Sequence, residues 1–230
     1  MQAINHAVTA LILKKTFPEA PLLGLILTTE AVEYLWVGLN IVGLEKTDIG
    51  PEMQSVSDVH LVHMPFSHSV GTSVILAAVL GLIVFWHGGK AAKAIALALS
   101  LGVFSHIVLD LIVHAPDIAV FPFFNPSKLG TGLYTNQPLL ALALETVWGI
   151  LCWWIFRGSW GLLALIVTLE ITALPLYSNM INAGESLLTG QDTIFALVIL
   201  AQMIATTALV WLFARKRTEA QPNGNAAVIE

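Results

Sequence analysis

Ser105-His106-Ile107-Val108-Leu109-Asp110-Leu111-Ile112-Val113-His114 closes an apolar run that begins at Ala91. In a helix, His106, Asp110 and His114 fall at i, i+4 and i+8, on one face. The run has the length of a membrane span, about 20 mostly apolar residues. An ionisable side chain in hydrocarbon costs several kcal/mol by most measures, so it marks a functional site by default. Here three such residues share a face, and all three types bind metals.

The rest of the chain reads as membrane too. Its 230 residues are 57% hydrophobic and 11% charged, against about 25% charged in soluble domains. Mean hydropathy is +0.81. The expected fold is all-α, a polytopic membrane helical bundle of about six spans. These are Ala20–Leu44, Ser69–His87, Ala91–His114, Pro138–Phe156, Trp160–Tyr177 and Thr193–Ala214. The stretch Ile4–Leu13 is too short to span and reads as a re-entrant or interfacial helix. Residues 1–214 form one domain, and 215–230 read as a flexible cytoplasmic tail. Ala115–Gln137 reads as a long irregular loop, and the Ala-rich face Ala91–Ala98 as a close contact with a helix or a second subunit. No basic patch marks a nucleic-acid partner. The lone Cys152 excludes an internal disulfide and a Cys-based zinc site. Met1–His6 lacks a basic n-region and a cleavage site, so no cleaved leader is expected.

Orientation follows from Lys and Arg in the loops. One side holds Lys14, Lys15, Lys90, Lys93, Arg157, Arg215, Lys216 and Arg217; the other holds only Lys46 and Lys128. Both termini are therefore expected in the cytoplasm. Placed on that topology, the other polar residues gather toward the outer side. His60, His63 and His68 lie in or at the end of the first outer loop. His106, Asp110 and His114 climb to the outer end of their span, and Asp117 follows. Glu145 is in the outer half of the fourth span. Glu30, Glu33 and Glu170 are near mid-membrane. Imidazole with carboxylate suits zinc, with manganese as the alternative. Glu145 could pair with the Tyr134–Gln137 segment or with a histidine that it orients, and Glu170 could simply bond helix to helix. Ser67, Ser69 and Ser105 each adjoin a histidine, but neighbours on a helix point apart, so no Ser–His dyad is expected from them.

His6, His63-x-x-x-Ser67-His68-Ser69 and Ser105-His106-x-x-x-Asp110 resemble the YdjM-like inner-membrane proteins, classed as membrane-bound metal-dependent hydrolases. That class is grouped by similarity with zinc-dependent phospholipase C and P1-type nucleases. A subgroup also resembles Val113-His114-Ala115-Pro116-Asp117, Lys128–Tyr134 and the acidic Glu145. The resemblance covers roughly residues 1–157. It implies His68, His106 and Asp110 as metal ligands, with His6, His63 and His114 in the same centre. Where the family has aspartates at the end of its first helix, this chain has Glu30 and Glu33.

The expected function is hydrolysis of a phosphoester or ester, lipid-linked or a small periplasmic molecule, with membrane lipids as surroundings. His68, His106 and Asp110 bind the ion; His63, His114, Glu33, His6 or Asp117 complete it. Glu145 and Asp117 are the candidate catalytic carboxylates. A proton or divalent-cation transporter is the first rival. A scaffold whose polar residues only lock helices is the second.

Overall fold

A computed structural model describes residues 1–49, 55–122, 124–178 and 192–219. Five helices are long and apolar enough to cross a membrane: α4 (Val70–His87), α5 (Ala92–Val113), α7 (Pro138–Phe156), α8 (Trp160–Tyr177) and α9 (Asp192–Glu219). The expected first span is two helices, α2 (Leu22–Thr29) and α3 (Ala31–Ile41), bent by 51° at Glu30. α1 (Ala3–Thr16) is the short N-terminal helix, and its segment Ile4–Leu11 is buried among the spans. α9 continues to Glu219, so the start of the expected tail is helical. The rest of that tail, 220–230, lies outside the described residues.

Local chemistry sets several boundaries. The side chains of Ser69 and Ser159 cap α4 and α8 by accepting from Thr72 N–H and Leu162 N–H. Pro138 opens α7, where its missing N–H is not needed. The loop expected to be irregular contains an antiparallel hairpin, β3 (Ile118–Phe121) with β4 (Phe124–Leu129), and then the single turn α6 (Leu133–Asn136). The first outer loop forms a second hairpin, β1 (Lys46–Ile49) with β2 (Val59–His63). Both hairpins pair backbone groups that would otherwise be stranded where the chain leaves a helix.

Of the four buried apolar clusters among the described residues, two bear on the site. Val8, Leu11, Leu25, Ile26, Leu99, Cys152, Leu162 and Ile166 form one buried apolar cluster. Trp36, Met64, Ile107, Ile118, Phe195 and Met203 form another, beside the polar centre. Lys15 shares a surface crevice with Arg157 and Gly158, and Arg215–Arg217 share another with Ser159 and Gly161. The end of α1, the α7–α8 turn and the end of α9 therefore lie at one basic end. The Ala-rich face of α5 packs inside this chain: Ser100 Oγ donates to Ala77 O of α4 at 2.7 Å, and Ala92 and Ala96 are buried.

Two glycines bring chain segments to van der Waals limits. A Cβ at Gly102 would lie 2.3 Å from Thr28 Oγ1, so α5 presses directly on the end of α2. A Cβ at Gly130, whose φ is +146°, would lie 2.1 Å from Ala115 O. That approach tucks 130–132 under the end of α5. Thr131 N–H donates to Leu111 O, and Gly132 N–H donates to His114 O, satisfying carbonyls that the helix end leaves open.

Candidate metal centre

The bend at Glu30 starts the site. Where α2 stops, the Thr29 carbonyl leaves the helical ladder. With α5 held close by Gly102, His106 one turn later reaches it, and Nδ1 lies 2.8 Å from Thr29 O. A carbonyl only accepts, so Nδ1 carries a proton, and in the neutral ring Nε2 is the atom with the lone pair. Nε2 faces Asp110 Oδ2 at 3.1 Å and Glu33 Oε2 at 3.8 Å.

His68 is oriented in a similar way from another direction. It lies in the turn before α4, and Ala119 N–H donates to its carbonyl at 3.2 Å. Its Nδ1 is 3.0 Å from Ser67 Oγ. The Ser67 hydroxyl donates to Glu45 Oε2 at 2.5 Å, so its oxygen is left to accept from His68 Nδ1. Glu45 is itself fixed by Phe66 N–H and Ser67 N–H, each at 2.8 Å. His68 Nε2 then points at Glu33 Oε2, 3.2 Å away, and at Asp110 Oδ2, 3.8 Å away. Ser67 and His68 do touch, contrary to the helical expectation, because both lie in a turn and not on α4. Partners that fix a ligand histidine in this way typically contribute about 10–100-fold in metal affinity. If the cluster holds zinc, Glu45→Ala is expected to weaken its binding by about that factor. A competition titration with a chelator measures it, and an unchanged affinity would remove Glu45 from this role.

α1 delivers His6, whose ring stacks on His106 with centroids 3.7 Å apart and planes 10° apart. His6 Nε2 lies 3.2 Å from Asp110 Oδ1. The Met1 amine is 2.5 Å from the same oxygen, and His114 Nε2 is 3.7 Å from it. Two overlapping donor sets result: His6, His106 and Asp110, and Glu33, His68 and His106, each with its atoms within 4.8 Å of one another. Glu33 Oε2, His106 Nε2 and Asp110 Oδ2 are buried and make no hydrogen bond. Unpaired buried polar atoms are rare and costly, and three that converge are the donor chemistry of a divalent cation. Glu30, fully buried with both carboxylate oxygens also lacking hydrogen bonds, stands beside them.

A cavity of about 410 Å³ opens onto the cluster, lined on its polar side by His6, Glu30, Glu33, His68, His114 and Asp117. Asp117 Oδ1 lies 3.9 Å from His114 Nδ1. His63 is not brought in: it is exposed at the end of β2. The side chain of His60 lies outside the described residues. His87 is exposed at the other end of α4.

Glu145 stands apart from the imidazoles. It accepts from Tyr134 OH at 2.5 Å, Tyr177 OH at 3.1 Å, Asn5 Nδ2 at 3.0 Å and Gln2 N–H at 2.8 Å. Of the two pairings weighed for it, the one with the Tyr134 segment is present. Burial, with the adjacent Glu145 carboxylate, pushes the Tyr134 phenol well above its ordinary value, so it remains a donor. Glu170 accepts from Asn5 Nδ2 at 2.7 Å and Gln2 Nε2 at 2.9 Å. The two glutamates thus clamp the start of α1, which carries His6. Glu45, Asn5, Gln2 and Tyr177 had no motif to announce them. Ser67 was marked by its adjacency to His68 and by its place in the resembling motif.

The fold and the centre define a multi-pass helical membrane protein with a buried histidine–carboxylate cluster. The sequence pattern of the YdjM inner membrane protein family matches residues 3–181, and the chain belongs to that family. No curated protein and no solved structure matches it. The family match spans the whole cluster and the spans from α1 to α8, beyond the roughly 157 residues over which the motifs carried the resemblance.

Proposed function

We propose that this chain is a membrane-embedded metal-dependent hydrolase acting on a phosphoester or ester from the periplasmic side. The carrying observation is the convergence of Glu33 Oε2, His106 Nε2 and Asp110 Oδ2, buried without hydrogen bonds, with His68 Nε2 aimed among them. These four residues would hold a zinc ion, or manganese. His6 and His114, on the other oxygen of Asp110, would complete the set. When bound, the metal supplies Lewis acidity toward a phosphoryl or carbonyl oxygen and toward water. Asp117, paired with His114 at the cavity wall, is placed to take the proton of an attacking water. Tyr134, also at the wall, presents a ring 5.4 Å from that of His114 and a hydroxyl fixed by Glu145. Glu145 acts as a positioning residue, through Tyr134 and α1.

Sidedness rests on the basic end and the loops. The cavity is lined by Val56, Ser57, Ala115 and Asp117, from the two loops assigned outside by the Lys/Arg count. Between it and the basic end lies the apolar layer of Leu11, Leu25, Ile26, Leu99 and Ile166. A transport path would need to cross that layer, and a one-sided catalytic site does not.

The test is elemental analysis of purified protein beside His106→Ala/Asp110→Ala, followed by a screen of phosphoesters and esters. Stoichiometric metal in the wild type, lost in the double variant, is the expected result. A wild type that neither carries nor takes up zinc or manganese would overturn the reading.

A further inference from the structure

The cavity has a second arm that the cluster does not use. Leu169, Ala173 and Leu176 of α8 form one wall, and Phe195, Ile199 and Met203 of α9 form the other. Thr172 and Gln202, from the same two helices, also line the cavity, yet both are exposed at the bundle surface. The cavity therefore reaches the outside sideways, between two helices each long and apolar enough to cross a membrane. From Phe195 to Thr206, the α9 residues along it extend about 16 Å, at about 1.5 Å per residue. Half of a bilayer hydrocarbon core is about 15 Å. The arm thus has the depth of one leaflet. One end of the cavity is lined by apolar residues of α8 and α9; the other is walled by Glu33, His68 and His114.

Resting on the hydrolase reading, the geometry points to an amphiphile as substrate, a phosphoester or ester whose hydrocarbon chain enters between α8 and α9 and lies in this arm. Its head group then meets the donor cluster without leaving the membrane boundary. A freely soluble substrate would leave the apolar walls uncovered, whereas a hydrocarbon chain packs against both of them. Gln202, at mid-depth and without a hydrogen bond among the described residues, stands at the sideways mouth.

The probes are octadecyl phosphate, which has chain and head, and inorganic phosphate, which has the head alone. Binding of each to the zinc-treated protein in nanodiscs is read by native mass spectrometry. Ala173→Trp and Ile199→Trp fill the arm from opposite walls. Val198→Trp, on the exposed face of α9, is the control. The expected result is retention of octadecyl phosphate by the wild type and the control, falling at least tenfold in both filling variants, with zinc content and inorganic phosphate binding unchanged. Retention unaffected by either filling variant, or wild type that holds inorganic phosphate but no octadecyl phosphate, would overturn the proposal. The metal reading fails separately. If the wild type takes up no zinc yet retains the chain in a way that Ala173→Trp abolishes, the arm stands and the hydrolase reading falls.

Discussion

Glu145→Ala is expected to cost the protein several kcal/mol, because it strips buried hydrogen-bond donors of their acceptor at about 1–3 kcal/mol each. The carboxylate receives four donors, from Tyr134, Tyr177, Asn5 and Gln2, on three different parts of the chain. Removing it leaves Tyr134 OH and Gln2 N–H without that acceptor, while Asn5 Nδ2 keeps Glu170 and Tyr177 OH keeps the Tyr134 oxygen. Each such orphan costs about 1–3 kcal/mol where no water can replace the acceptor. The start of α1 then loses its seat, and His6 loses its stack on His106. Thermal unfolding in detergent should show a melting temperature many degrees lower and a smaller metal content. Glu145→Gln keeps one accepting oxygen and should fall in between. A Glu145→Ala protein that melts with the wild type would show that the clamp contributes nothing.

Asp110→Asn is the second large effect, and it separates binding from folding. The amide has nearly the shape of the carboxylate, so the apolar surroundings of α5 stay packed. What it removes is the charge on which His6, His68, His106 and His114 all converge. A ligand that binds only the folded state stabilises it by about 2.7 kcal/mol at a hundred times its Kd. Wild-type protein should therefore melt higher as zinc is raised, and Asp110→Asn should not respond. An equal zinc-dependent rise in both would mean that Asp110 is not a ligand.

The spans were legible because a stretch of about 20 apolar residues has few other readings. All six expected segments appear, one of them broken. The break at Glu30 could not be read: neither Gly nor Pro marks it, and Thr28-Thr29-Glu30 reads as a polar patch within a span. Its cause is tertiary, the contact of α5 at Gly102 and the bond from His106. The centre was half legible. His106, Asp110 and His114 share a helix, so their convergence follows from helical period alone. His6, Glu33 and His68 come from other elements and joined them through family resemblance and the inferred topology. His63 resembled a ligand by its spacing to His68, but β2 ends there and leaves it outside. Glu45 contacts Ser67 across a hairpin of 22 residues' separation, a distance at which spacing carries no signal.

The apolar layer beneath the site has an electrical consequence. A membrane potential acts on charge that moves through it, at about 2.3 kcal/mol per 100 mV for each elementary charge. Leu11, Leu25, Ile26, Leu99 and Ile166 offer no charge to move. Most of the voltage then drops across this apolar half. The histidines and carboxylates sit beyond it, close to the potential of the side onto which their cavity opens. A cell could thus keep a cluster of titratable groups inside its energised membrane without a proton leak, and the occupancy of the site would not change when the potential does.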